Sequence, residues 1–102
     1  MLQANDVLVV VPAFNEAASI GQVIDGIRTH GFQVLVVDDG STDETPLVAR
    51  QRNALVLSLP FNVGVGGALR CGFRYAVENG FSAVIQCDAD GQHLPSHLVD
   101  LV

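Results

Sequence analysis

Four short apolar runs, Val7–Val11, Val34–Val37, Leu55–Leu59 and Ala83–Cys87, each break off into a polar turn, and helical patterns lie between them. Runs of this length, rich in β-branched residues and without polar alternation, suit strands buried on both faces, as in a parallel sheet covered by helices. Pro12 follows the first run, and its missing N–H is expected to stop that strand. From Ala17 to His30, Ile20, Val23, Ile24 and Ile27 recur at helical spacing, with Asn15 a candidate N-cap and Gly31 at the C′ position. A second helix is expected from Thr42 or Asp43 to about Arg52, with Ser41 and Glu44 at capping-box spacing and Pro46 in the first turn. A third presents Leu69, Gly72, Phe73, Ala76 and Val77 inward and ends before Gly80. The order βαβαβαβ predicts an α/β fold, doubly wound, with a mostly parallel sheet.

With 102 residues, 49% of them hydrophobic, the chain suits one domain and one core, which excludes disorder as its default state. A sheet ending at the fourth strand would leave an unpaired edge, through which self-association is expected. Eleven acidic against five basic residues give a net charge of −6, and the bases are all arginines: Arg28, Arg50, Arg52, Arg70 and Arg74. This balance argues against a nucleic-acid partner, and the lack of lysine excludes a P-loop or Schiff-base chemistry within these residues. Cys71 and Cys87 have neither metal-ligand spacing nor the density of a disulfide scaffold, so they read as buried thiols in a reducing, cytoplasmic setting. The longest apolar run, Val7–Phe14, is too short to cross a bilayer.

In an open parallel sheet, ligands bind beyond the carboxyl ends of the strands. The four strands here run into Phe14-Asn15-Glu16, Asp38-Asp39-Gly40-Ser41, Asn62-Val63-Gly64-Val65-Gly66-Gly67 and Asp88-Ala89-Asp90-Gly91-Gln92-His93, so all four polar clusters share one edge. Asp88 and Asp90 alternate at a strand end and project to the same side, with Gln92 in phase. Two such carboxylates suit Mg²⁺ or Mn²⁺ together with a diphosphate, whereas a solvated turn is the plainer reading of the same residues. An EF-hand is excluded, because its sixth position is His93 and its twelfth Val99. Of Asp38 and Asp39, at most one is needed to form a turn or cap a helix, which leaves the other to bind a ligand. Phe14 either covers a nucleobase face or packs in the core. The glycines around Gly64 allow close backbone approach or a phosphate at a helix entrance, although their spacing misses the dinucleotide fingerprint. Arg70 either counters that phosphate or forms an ion pair on a solvated face, and Arg74 has less claim. Glu16 and His30 suit helix ends, and His30, His93 and His97 lack metal-ligand company.

Four motifs in order, Val11-Pro12-Ala13-Phe14-Asn15-Glu16, Val36-Val37-Asp38-Asp39-Gly40-Ser41-Thr42-Asp43, Asn62-Val63-Gly64-Val65-Gly66-Gly67-Ala68 and Asp88-Ala89-Asp90-Gly91-Gln92-His93, resemble the family 2 glycosyltransferases. The similarity covers nearly the whole chain and is greatest to the polyprenyl-phosphate (dolichyl-phosphate) sugar transferase branch. The resemblance implies a GT-A fold, a nucleoside diphosphate sugar donor with Mg²⁺ or Mn²⁺, and inversion at the anomeric carbon. By motif position it places Pro12, Phe14 and Glu16 around the nucleoside, Asp39 on the base, and Asp88 beside the diphosphate; Asp90 and Gln92 complete the metal shell. Asp38, Gly64 and Arg70 complete the candidate substrate-binding set, and Asp88 and Asp90 are the candidate catalytic residues. The family's acceptor half follows the D-x-D segment, so residues 1–102 resemble an N-terminal donor-binding part, expected to be inactive alone. The acceptor is a lipid phosphate or a saccharide; the former would put the enzyme at the cytoplasmic face of a membrane through other residues. A non-catalytic sugar-nucleotide-binding fragment is the main alternative. A phosphorylation-controlled receiver module fails on the position of its paired acids and on the missing lysine. A nucleotidyltransferase fails on its expected glycine- and lysine-rich start.

Overall fold

The computed structural model describes residues 3–90 and the backbone of residues 97–100. After a 3-10 turn at Ala4–Asp6, the chain forms β1 (Val7–Ala13), α1 (Ile20–Thr29), β2 (Gln33–Asp38), α2 (Thr45–Gln51), β3 (Leu55–Ser58), α3 (Gly64–Glu78), β4 (Ala83–Gln86) and β5 (His97–Asp100). The strand order is β3-β2-β1-β4-β5. β1 pairs in parallel with β2 and β4, and β2 with β3, so the expected doubly wound parallel arrangement is present. β5 is an addition to it: its antiparallel pairing, from Ala83 opposite Asp100 to Gln86 opposite His97, covers the edge of β4 on which self-association was expected to rest.

Alternation along the strands divides the core into two layers. Val9, Val11, Val34 and Val36 pack with Ile20, Val23, Ile24 and Ile27 of α1 and Ala49 of α2, whereas Leu8, Val10, Leu35, Val37 and Val84 pack with Ala68 and Ala76 of α3. Helices therefore cover both faces, which is why the strands are apolar throughout. The helix α3 is rotated from the expected stripe: Ala68, Gly72 and Ala76 are buried at four-residue spacing, and Val77 is 61% exposed. Small residues win that face because the helix lies close on β1; a Cβ on Gly72 would stand 2.5 Å from Val10 Cγ1.

Pro12 does not end β1, which continues to Ala13 with Pro12 opposite Val37. Val10 O accepts from Cys87 N, and Ala13 O from Asp39 N, so alternation turns the Pro12 nitrogen toward β4, beyond the last β1–β4 pair, Val10 with Gln86. The missing N–H costs no ladder bond there. The helix α1 begins later than expected, at Ile20, after a turn in which Ser19 N and Ile20 N donate to Glu16 O. It ends as expected, with Gly31 at φ 87.

Candidate functional site

The chain proceeds from β1 outward to β2 and β3, then α3 returns it to the other side of β1 as β4. The carboxyl ends of β1 and β4 therefore flank a topological switch point, the place where open α/β sheets form a ligand crevice.

At the exit of β2, both acids are structural partners, contrary to the expectation that one would suffice. Asp38, 4% exposed, accepts Ser41 N at 3.1 Å through Oδ1 and so closes the turn. Asp39, 5% exposed, accepts Val63 N at 2.7 Å and Gly64 N at 3.0 Å, one on each carboxylate oxygen. Its negative charge thus lies at the N-terminus of α3, where the helix dipole favours it. Gly64 N, read as a phosphate donor, is given to Asp39, with Asn62 Oδ1 at 3.2 Å as a second acceptor. Gly40 between these loops is required on two counts: its φ is +78, and a Cβ would meet Asn62 N and Phe61 C at 2.9 Å. Arg70 is exposed on α3, where Arg74 pairs with Glu78.

At the exit of β1, Phe14 is 45% exposed, so it leaves the core and offers an aromatic face at the sheet edge. Pro12 and Glu16 are half-buried beside it. Asn15 does not cap α1; its Oδ1 accepts Thr42 N at 2.8 Å and Asp43 N at 3.3 Å, on the neighbouring β2–α2 loop. The helix α2 starts at Thr45 instead of Thr42 or Asp43. Ser41 makes no capping box, since its Oγ accepts Asn15 N at 2.9 Å. Asp43 accepts Thr45 N, Thr45 Oγ1 and Ala17 N, and these bonds, the Thr45 hydroxyl first, hold its carboxyl below the ordinary value of 3.8 despite opposing desolvation. Sequence reasoning missed this exchange because Asn, Ser, Thr and Asp before a helix carry the same signal as ordinary caps.

At the exit of β4, Cys87 and Ala89 are buried in the α1-side core, while Asp88 is half-buried and Asp90 exposed. Ala89 and Asp90 lie in a turn beyond the end of β4. Burial first, then the charges of Asp88 and Asp90, push the Cys87 thiol up, which keeps it protonated and unsuited to nucleophilic attack. Ser19 Oγ donates to Ala89 O at 2.7 Å and ties α1 to this segment; a cleft of about 180 Å³ opens there, lined by Ser19, Gln22, Val23 and Asp90. Gln92 and His93 lie outside the described residues. Among the described residues no group of three acids, histidines or cysteines forms a cation site. Asp88 and Asp90 carry hard oxygen donors at the exit of β4, the chemistry that a divalent cation takes when its remaining ligands come from elsewhere.

The four motifs and their common edge find their counterpart in known proteins: the profile described as Glycosyl transferase family 2 matches residues 8–102. The chain belongs to this family. An undecaprenyl-phosphate mannosyltransferase of Micrococcus luteus is 35% identical over 94% of this chain and 42% of its own length. Among solved structures, the mannosyltransferase PcManGT from Pyrobaculum calidifontis, in complex with GDP-Man and Mn²⁺, superposes with a TM-score of 0.71 at 30% identity, over 87% of this chain and 30% of that one. Glucosyl-3-phosphoglycerate synthase from Mycobacterium tuberculosis, in complex with Mn²⁺, UDP and glucosyl-3-phosphoglycerate, gives 0.66 at 33% identity, over 81% of this chain and 33% of that one. The fold is that of the GT-A glycosyltransferases. The chain spans less than half the length of the curated relatives it matches, 42% of the Micrococcus protein.

Proposed function

We propose that the chain is the donor-binding part of an inverting glycosyltransferase that moves a hexose from a nucleoside diphosphate sugar to a polyprenyl phosphate, using Mg²⁺ or Mn²⁺. The observation that supports this reading is the position of Asp88 and Asp90 at the exit of β4, on one flank of the switch point whose other flank, the exit of β1, carries exposed Phe14. Neighbours of similar fold bind GDP-Man or UDP with Mn²⁺, and a relative's acceptor is an undecaprenyl phosphate, which supports the donor, the cation and the acceptor class.

In this reading Phe14 covers one face of the base and Pro12 and Glu16 form the adjoining wall. The lone pairs that Asp39 retains beside the Val63 and Gly64 amides accept a base N–H, while Asp38 holds the turn that aims Asp39. Gly64 lets the loop approach the nucleotide, and Arg70 sits a turn further as a counter-charge. Asp88, Asp90 and Gln92 would hold the cation, which supplies positive charge against the departing diphosphate. The bond from the anomeric carbon to the diphosphate oxygen breaks with its electron pair on that oxygen, and an acceptor oxygen bonds from the opposite face. A phosphate acceptor is already anionic, so this step needs no strong base from the protein.

A second reading, donor binding without transfer by residues 1–102 alone, is favoured by the fraction of the relatives that the chain spans. Incubating the chain with GDP-mannose or UDP-glucose, Mn²⁺ and undecaprenyl phosphate tests both. Binding without product is the expected result, and acceptor-dependent turnover would overturn the second reading. Failure to bind either donor would overturn the first.

A further inference from the structure

Three successive N–H groups of the loop from β1 to α1 are donated to side-chain oxygens of the loop from β2 to α2 and of Thr45, the first residue of α2. Asn15 N donates to Ser41 Oγ at 2.9 Å, Glu16 N to Thr45 Oγ1 at 2.9 Å and Ala17 N to Asp43 Oδ2 at 3.2 Å. The exchange is returned by one residue: Asn15 Oδ1 accepts Thr42 N at 2.8 Å and Asp43 N at 3.3 Å. Thr45, fully buried, anchors the far side of this seam. Asn15 stands at φ 54, a left-handed conformation that asparagine tolerates better than most residues. Its carbonyl oxygen is committed to the facing loop, with Thr42 Oγ1 at 3.3 Å beside the two amides, so Asn15 is built to hold that loop.

We infer that Asn15 is a positioning residue for the nucleoside end of the donor site, acting through its neighbours Phe14 and Glu16. The inference rests on the proposed nucleoside site. An unfastened loop samples many backbone states, and a ligand that needs Phe14 and Glu16 in one of them must first order the loop, which lowers its affinity. Asp88 and Asp90 leave from β4, linked to this loop through Ser19 Oγ, which meets Glu16 Oε2 at 3.4 Å and Ala89 O at 2.7 Å; diphosphate alone makes no use of Phe14 or Glu16 in the proposed site, so its binding does not draw on the seam directly. Loss of the Asn15 side chain therefore separates two ligands that share the same phosphates.

The test is calorimetric titration of the 102-residue chain in Mn²⁺ with UDP, GDP and inorganic pyrophosphate. Asn15→Gly keeps the backbone freedom at φ 54 and removes the acceptor; it is expected to lose at least about tenfold in affinity for whichever nucleotide binds, with pyrophosphate affinity unchanged. Asn15→Asp, which tolerates the same φ and still accepts both amides, should recover nucleotide binding to within about threefold. Should Asn15→Gly fail to fold, Ser41→Ala removes the acceptor of the Asn15 amide from the other side and is expected to show the same split. Wild-type nucleotide affinity in a folded Asn15→Gly, or equal losses for nucleotide and pyrophosphate, would overturn the inference alone. A wild-type chain that binds neither nucleotide would overturn the proposed function and this inference with it.

Discussion

Asp39 Oδ1 accepts the backbone N–H of Val63 at 2.7 Å, joining the exit of β2 to the start of α3 across 24 residues of chain. With Gly64 N on the other oxygen, a buried carboxylate satisfies two amides that a helix start would otherwise leave open. The same side chain is therefore both a helix cap and the candidate base reader.

Asp39→Asn keeps one acceptor and turns an amide N–H₂ toward the second backbone N–H. Loss of a hydrogen bond to a charged group predicts a stability decrease of about 1 to 3 kcal/mol, read from urea unfolding. Nucleotide binding should weaken in the folded variant while pyrophosphate binding is spared. An unchanged urea midpoint would show that the cap contributes nothing.

Gly72→Ala places a Cβ 2.5 Å from Val10 Cγ1, against a β1 side chain buried on all sides. Overpacking of about 1 to 3 kcal/mol outweighs the roughly 1 kcal/mol that alanine gains in helix propensity, so a net loss is expected. Combining it with Val10→Ala should restore part of that loss relative to the sum of the single changes, and strict additivity in a double-mutant cycle would contradict the contact.

The Asp43 carboxyl is held below its ordinary value of 3.8, foremost by the Thr45 hydroxyl. A depressed carboxyl contributes stability that is fully present above the unfolded value and is lost as pH falls through the lower folded one. Comparing acid unfolding of wild type with Asp43→Asn should show a stability difference above about pH 4 that shrinks as the folded carboxyl protonates. A difference that is constant with pH across this range would contradict the Thr45 bond as its source.

Cys87 is buried with its thiol pushed up, whereas Cys71 is half-buried. Iodoacetamide at mildly alkaline pH should label Cys71 first in the native protein, as mass spectrometry would show. Equal rates would place Cys87 at the surface.

The sheet and α1 were legible because Val7–Val11 and the Ile20, Val23, Ile24, Ile27 stripe carry strong single-period signals. Pro12 misled because the rule against proline in central strands concerns a bond to β4 that this part of β1 does not make. The face of α3 depended on how closely it approaches Val10, a tertiary distance that Gly72 and Ala76 only hint at. β5, His97–Asp100, has only Leu98 and Val99 as apolar residues, so no apolar run marks it in the sequence. At the site, the shared edge of the clusters followed from the parallel order of the strands. The Asn15 seam did not, because its partners lie 27 and 28 residues away.

In the proposed function a nucleotide is held through a cation by the acids at the exit of β4. Calorimetric titration of UDP and GDP in Mn²⁺ and in chelator, with wild type and Asp90→Ala, tests it most directly. The predicted result is nucleotide affinity at least about tenfold higher in Mn²⁺ for the wild type, with that gain abolished in a folded Asp90→Ala. Equal wild-type affinity in Mn²⁺ and chelator, or a metal effect that survives Asp90→Ala, would contradict it.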